Sequence, residues 1–252
     1  MLLKDKNAVI TGCNRGIGKE IVRVFAENGA DIWACVRKES QSFTKYISNL
    51  EQKHVVRINP VYFDLENEEH IKACVKTIKL SKKPVNILVN NAQEVPNGLL
   101  HDVTDDAFSA GFTSGPLATL RLMKLAYPYL KGDGCIINLA STAAKRWDMS
   151  GYGAYAAVKE AIRSLTRAAA CEWGADGIRT NVILPHAKSP GLAWWMDKNP
   201  EEAAAFQASI PQRRVGECEQ DIGRFVVQLC SEGSRYVNGQ TIAVDGGQAH
   251  LG

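Results

Sequence analysis

The sequence predicts an α/β fold: a single doubly wound domain with a seven-stranded parallel sheet and helices on both faces. Two observations carry this. Short apolar runs alternate with longer amphipathic ones along all 252 residues, which is the rhythm of βαβ units. No Pro- or Ser-rich linker, internal repeat or low-complexity tract interrupts that series, so one domain spanning 1–252 is expected rather than two. The composition agrees, because 45% hydrophobic and 23% charged residues are ordinary globular usage and argue against disorder or a coiled coil.

The elements follow in order. An apolar strand at 7–11 runs through a glycine-rich turn into an amphipathic helix at 16–28. After Gly29 a second strand is expected at 31–36, then a helix at 43–53, a strand at 56–63 and a helix at 66–79. A short buried run at 87–90 makes the fourth strand, and a long helical pattern covers 104–130. The fifth strand, 134–139, leads to a helix at 152–173, which Gly174 and Gly177 separate from a strand at 179–184. A helix at 217–230 and a strand at 240–244 complete the series. One segment, about 185–211, breaks the rhythm with Pro190, Pro200 and Trp194-Trp195-Met196. It follows a strand's carboxyl end, where open α/β sheets bind ligands, and reads as a substrate cover.

Charge and cysteine usage exclude several classes of partner. Thirty basic against 27 acidic residues give a net charge of +3, too small and too scattered for a nucleic-acid or polybasic membrane surface. No apolar run approaches a membrane span, and Leu2-Leu3 runs straight into Lys4-Asp5-Lys6, so a soluble, cytoplasmic protein without a signal peptide is expected. The seven cysteines never fall in C-x-x-C spacing and sit in apolar segments, so they read as reduced core thiols. With no H-x-x-x-H pair, no protein-built metal centre is expected.

The chemistry resides in two places. Thr11-Gly12-Cys13-Asn14-Arg15-Gly16-Ile17-Gly18 joins the first strand to its helix, and such a turn lets the backbone approach a pyrophosphate at a helix N-terminus. Folds of this kind that use NAD place an acidic residue after the second strand, whereas this chain offers Arg37 and Lys38. Arg37 and Arg15 suit a 2′-phosphate, which makes NADP(H) the expected cofactor. The second place is Ser141, beyond the fifth strand, with Tyr155 and Lys159 at i and i+4 on the following helix. Tyr127 and Lys131 repeat that spacing but lead into the amino end of the fifth strand, and read as coincidence. A tyrosine beside an ammonium such as Lys159, with the positive nicotinamide in the oxidised complex, has its phenolate favoured, lowering its pKa toward a useful acid/base range. Tyr155 then protonates a carbonyl oxygen, Ser141 hydrogen-bonds the same oxygen, and Lys159 also holds the nicotinamide ribose.

With Asp64-Leu65, Asn90-Asn91-Ala92, Asn181, Pro185 and the tail from Asn238 to Gly247, this set resembles the short-chain dehydrogenase/reductase family over essentially the whole chain. It is most like the 3-oxoacyl-acyl-carrier-protein reductase type. The resemblance implies a Rossmann-fold homo-oligomer, a tetramer or dimer, that interconverts a carbonyl and an alcohol of a small molecule. It also implies cofactor contacts from Asp64, Leu65, Asn91, Ala92, Pro185 and Ser189.

Departures from the family pattern cluster around the same site. Gln93 stands for a usual glycine, where its side chain is expected near nicotinamide or substrate, and His186 replaces another glycine. Ser189 replaces a common threonine, and Gly115, between Ser114 and Pro116, stands where the family carries an asparagine that helps hold a proton-relay water. Gln93, Trp147, His186, Trp194 and Trp195 are candidate substrate contacts in an apolar, aromatic-friendly pocket. These departures leave two readings: an NADP(H)-dependent oxidoreductase of specialised substrate, or an NADP(H)-binding regulatory or scaffold protein with an impaired site.

Overall fold

In the computed structural model, residues 1–80, 84–145 and 151–249 are described. One parallel sheet runs through them in the order β3-β2-β1-β4-β5-β6-β7. Its strands are β1 (Asn7–Thr11), β2 (Asp31–Val36), β3 (Ile58–Tyr62), β4 (Ile87–Asn90), β5 (Gly134–Leu139), β6 (Ile178–Pro185) and β7 (Thr241–Val244). β1, β2, β4 and β5 have the expected bounds. β3 is shorter than 56–63 because it is an edge strand whose pairing runs only from Ile58 opposite Ile32 to Tyr62 opposite Val36. The edge position also explains how Pro60 is tolerated, since a central strand would need its missing N–H. β6 extends one residue beyond 179–184 at each end, and β7 begins at Thr241 rather than at 240.

Both faces of the sheet are buried, which is why the strands read as nearly continuous apolar runs. Side chains alternate between two cores. Ala8, Ile10, Ile32, Val89 and Ile137 point to one, which α1 (Gly16–Glu27), α2 (Gln41–His54) and α9 (Arg224–Cys230) cover with Phe25, Ile47 and Val226. Val9, Cys35, Leu88 and Ile136 point to the other, beneath Ile71 of α3 (Glu68–Leu80) and Leu122 and Met123 of α5 (Ala118–Leu130). Six of the seven cysteines are buried, and Cys171 is the exception, exposed on α6 (Gly153–Trp173). It stands among alternating exposed and buried helix positions, so an apolar neighbourhood in sequence did not reveal its side.

The helical pattern at 104–130 is α4 (Asp105–Phe112), a π turn at Thr113–Leu117, and α5. Thr104 caps α4 by accepting from the Ala107 N–H (3.2 Å). Pro116 explains the π turn: its ring displaces the carbonyl four residues back and it has no N–H to give. The stretch 217–230 likewise begins as a π turn, Cys218–Gly223, before α9. The irregular segment after β6 contains two short helices, α7 (Pro190–Lys198) and α8 (Pro200–Ser209), each with proline in its first turn, where proline costs no hydrogen bond.

A buried polar chain joins the sheet to α6 below its carboxyl edge. The Asn90 amide donates to Asn138 Oδ1 (2.8 Å), the Asn138 amide donates to Thr166 Oγ1 (2.9 Å), and that hydroxyl donates to the Ile162 carbonyl (2.8 Å). Replacing Asn138 by Leu leaves the Asn90 amide buried without its acceptor. Urea denaturation should show a loss of about 1–3 kcal/mol relative to wild type, the usual cost of orphaning a buried polar group.

Candidate active site

The strand order reverses between β1 and β4, so the loops after these strands diverge and leave a crevice at the carboxyl edge. Thr11 and Asn91 line it. The Thr11 hydroxyl accepts from the backbone N–H groups of Asn91 (2.9 Å) and Ala92 (3.1 Å), and the Asn91 side-chain amide donates to the Thr11 carbonyl (2.9 Å). Gly12 is at φ +74°, and a Cβ there would stand 2.6 Å from Asn91 Nδ2. A Cβ on Gly18 would overlap the Gly12 carbonyl oxygen. Glycine is thus needed for the turn to lie this close to the loop after β4. Arg15 precedes α1 in an extended conformation with no side-chain cap, so the first-turn N–H groups are left to an anion. Asn14 and Arg15 are exposed, while Ile17 packs on the core.

Arg37 follows β2 at the same rim, where its guanidinium pairs with Glu94 Oε1 (2.6 Å) from the loop after β4. Both side chains are exposed, and such a pair contributes about 0–1 kcal/mol. Asp64 and Leu65 follow β3 at the far side of the crevice; Asp64 accepts from the Glu66 N–H (3.0 Å) and Leu65 packs on the core.

Ser141 leaves the end of β5, and Tyr155 and Lys159 reach the same place from the first turns of α6. Lys159 is buried, with its Nζ 5.5 Å from the Tyr155 ring centroid and donating to the Leu139 carbonyl (2.6 Å). Desolvation holds the Lys159 ammonium down to a pKa of about 7. Tyr155 moves opposite to the sequence expectation. Burial pushes its phenol up to about 12, the nearby Ser141 hydroxyl favours the phenolate, and Tyr152 opposes it. Lys159 does not reverse this, because its own charge is weakened by the same burial. The Tyr152 and Tyr155 rings lie 5.9 Å apart and give the entrance an aromatic wall. Tyr127 and Lys131 instead both bind Asp176, between α6 and β6.

The remaining expected residues divide. The Gln93 side chain turns into the structure, its Oε1 buried 2.9 Å from where a Gly115 Cβ would stand. Pro185 closes β6, and the His186 N–H donates to the Val244 carbonyl (3.0 Å) while its ring meets Phe206 edge-on at 5.3 Å. Trp195 meets Phe206 from another side at 6.0 Å, whereas Trp194 is 65% exposed, so the two indoles do not act together. Ser189 caps α7 by accepting from the Leu192 N–H (3.3 Å). Trp147 lies outside the described residues.

Sequence reasoning missed Glu94, Phe206 and Gln248. The last is a tail residue whose amide oxygen accepts from the Thr142 hydroxyl (3.3 Å) beside Ser141. Only Asp245-Gly246-Gly247, a turn signal returning the chain toward the site, hinted at it. Among the described residues no group of His, Cys, Asp and Glu could hold a metal ion, and no helix is long and apolar enough to cross a membrane.

Comparison with known proteins agrees with this geometry. Residues 12–249 match the family model described as Enoyl-(Acyl carrier protein) reductase. A 12alpha-hydroxysteroid dehydrogenase of Clostridium sp. is 36% identical, the match covering 98% of this chain and 97% of that protein. A tropinone reductase homolog of Arabidopsis thaliana is 32% identical over 97% of this chain and 91% of its own. Among solved structures, L-sorbose reductase of Gluconobacter frateurii, complexed with NADPH and L-sorbose, superimposes with a TM-score of 0.89 at 28% identity, covering 100% of both chains. A blue fluorescent protein from a metagenomic library, in complex with NADPH, gives 0.90 at 32% identity over 99% of this chain and 100% of that one. The chain belongs to the short-chain dehydrogenase/reductase family of oxidoreductases.

The buried Lys159 has a signature in stability. Its pKa is about 10.4 when unfolded and about 7 here. Between those values the unfolded chain holds more protons, so stability rises with pH. Below about 7 both states are protonated and the destabilisation is complete. Denaturation of the cofactor-free protein should show stability rising from pH 7 to 10, and Lys159→Met should flatten that rise.

Proposed function

We propose that this protein is an NADP(H)-dependent oxidoreductase interconverting a ketone and a secondary alcohol on a fairly apolar small-molecule substrate. The observation that carries the reading is the convergence of Ser141, Tyr155 and Lys159 on one edge of the sheet, beside the glycine turn.

The cofactor fits the residues present. Gly12 and Gly18 let the turn pack tightly against itself and the loop after β4, where a Cβ would clash, the first turn of α1 is left open to a pyrophosphate, and Arg15 and Arg37 offer charge to a 2′-phosphate. Asp64 and Leu65 suit the adenine end, and Pro185 and Ser189 the carboxamide end. When bound, the nicotinamide supplies or accepts the hydride. In the direction of reduction, Tyr155 gives its phenolic proton to the carbonyl oxygen and Ser141 hydrogen-bonds that oxygen as charge develops on it. A phenol held near 12 is fully protonated at neutral pH, which suits it to that donation. Lys159, when protonated, then stabilises the phenolate left behind.

The segment at about 185–211 forms the substrate cover. His186 and Trp195 meet Phe206 edge-on within it, and exposed Leu99, Leu100 and Tyr152 continue the apolar rim. This suits a ring-bearing ketone, and the hydroxysteroid in the name of one relative is a ring compound of that largely apolar kind. The working form is proposed to be a cytoplasmic homo-oligomer, a tetramer or dimer.

The test is NADPH oxidation against ketosteroids, tropinone and L-sorbose, with Tyr155→Phe as control. Tyr155→Phe should reduce kcat by at least about 10³-fold while NADPH still binds. Retained activity would remove Tyr155 from the chemistry.

Coenzyme preference can be altered from both partners of the Arg37–Glu94 pair. Arg37→Asp should shift preference toward NADH. Glu94→Gln frees the guanidinium for the 2′-phosphate and should tighten NADPH about 2–5-fold without changing NADH, as expected for an exposed pair. Fluorescence titration with both coenzymes reads each outcome; equal binding of NADH and NADPH by wild type would refute the 2′-phosphate assignment.

A further inference from the structure

At the amino edge of the sheet, opposite the site described above, lies a cavity of about 560 Å³. Two cysteines line it: Cys135, the second residue of β5, and Cys230, the last residue of α9. Neither has a part in the chemistry proposed above. Their sulfurs lie 3.8 Å apart, in contact, although 95 positions separate the two residues in the chain. Both residues are otherwise buried, so the cavity is their route to solvent.

Arg179 organises the pair. In the sheet register it stands beside Cys135 on the neighbouring strand β6, which puts the two side chains on one face. Its guanidinium donates to the carbonyls of Leu229 (2.9 Å) and Val237 (3.2 Å), and the Cys135 sulfur lies 3.8 Å from the same Leu229 oxygen. A fixed cation therefore stands close to this thiol. The hydrogen bond with Cys230 favours the Cys135 thiolate most, burial opposes it, and the Arg179 charge supports it, so the thiol is held below its ordinary value. Asp133, the carboxylate that works against it, is paired with Lys6 at the cavity rim. Burial pushes the Cys230 thiol up. One member is thus the nucleophile and the other keeps its proton. Cys230 closes α9, and the chain turns extended at Ser231, so the sulfur free to move sits at a helix end. A second adjacent pair, Cys35 of β2 and Cys74 of α3, is packed in the core and does not line the cavity.

We propose that Cys135 and Cys230 form a peroxide-sensitive dithiol site that closes to a reversible disulfide at the amino edge of the sheet. Cys135, as thiolate, attacks one oxygen of hydrogen peroxide. The O–O bond breaks, hydroxide leaves and takes up a proton as water, and Cys135 becomes a sulfenic acid. The Cys230 sulfur then displaces the sulfenic hydroxyl, which departs with the Cys230 proton as a second water while the S–S bond forms. In total one peroxide is reduced to two waters as two thiols are oxidised to one disulfide. The sulfurs close from 3.8 Å to the ~2.05 Å of such a bond, with the movement at the end of α9. The bond ties α9 to the start of β5, and its formation does not depend on the proposed carbonyl–alcohol reaction.

The test uses the folded, full-length protein carrying Cys171→Ser, which removes the exposed thiol and leaves six buried ones. The protein is exposed briefly to hydrogen peroxide, quenched, and denatured in an alkylating agent. Alkylated thiols should fall from six to four, and a proteolytic digest should contain the Cys135 and Cys230 peptides joined, released again by dithiothreitol. Six alkylated thiols after exposure, or a joined pair other than this one, such as Cys35 with Cys74, overturns the proposal. So does a cross-link that forms only in unfolding urea, because the native contact would not then be its cause. Adding Cys230→Ala removes the resolving thiol, and dimedone present during exposure should then label Cys135 as its sulfenic acid. An unlabelled Cys135 overturns the order of attack. If that variant does not fold, dimedone is added to the Cys171→Ser protein itself, where it should label Cys135 and reduce the yield of joined peptides; a yield left unchanged by dimedone overturns the sulfenic acid step.

Discussion

Thr11 and Asn91 join the ends of β1 and β4, and much of the site's geometry hangs from this seam. The Thr11 hydroxyl takes two backbone N–H groups from the neighbouring loop, and the Asn91 amide returns to the Thr11 carbonyl. In a parallel sheet the loops at a switch point run apart, so without such a tie the two would be independent surface segments. Tied, they set the glycine turn against Ala92 closely enough to exclude a Cβ at Gly12. They also fix where the chain proceeds to Gln93 and Glu94. The asparagine that family resemblance assigns to the cofactor thus acts first on the protein, by shaping the cradle.

A second constraint is electrostatic. Lys159 is buried, with no carboxylate among the described residues to balance it, and its charge is poorly supported. Tyr155 carries the complementary problem, since burial disfavours its anion. Each group in isolation is held toward its neutral form. Charge on one is the natural compensation for charge on the other. The Asn90–Asn138–Thr166 chain beneath them ties α6 to β4 and β5 and holds it in register with β5.

Much of this was legible in the sequence. Strands buried on both faces announce themselves as apolar runs, and β1, β2, β4 and β5 fall where those runs lie. The glycine turn and the Ser141, Tyr155 and Lys159 set were visible because type and spacing are demanded by the backbone's approach to phosphate and by one helix face. Features that depend on three-dimensional competition were not. The π turn at 113–117 follows from Pro116, yet the direction Gln93 takes depends on the volume vacated by Gly115, twenty-two positions away. The two helices after β6 are capped by Ser189 and started by prolines, signals that read as irregularity when the alternation alone is followed. The Tyr155 shift was misjudged because spacing conveys the proximity of a charge and not the burial that weakens it.

The packing of the segment after β6 joins the two halves of the crevice. A Cβ on Gly16, at the start of α1, would come within 3.3 Å of Pro190 Cδ, so the first residue of α7 rests on the turn that faces the pyrophosphate. At the other end of the segment, Phe206 of α8 is held between His186 and Trp195, beside the carboxyl end of β6. One short stretch of chain thereby touches the phosphate side with α7 and the aromatic side with α8. Only Asn199 separates these helices, so displacement of one is transmitted to the other through their shared cap, where Asn199 binds the Trp195 carbonyl (2.9 Å). The seating of α7 on the glycine turn therefore bears on the aromatic contacts that hold α8.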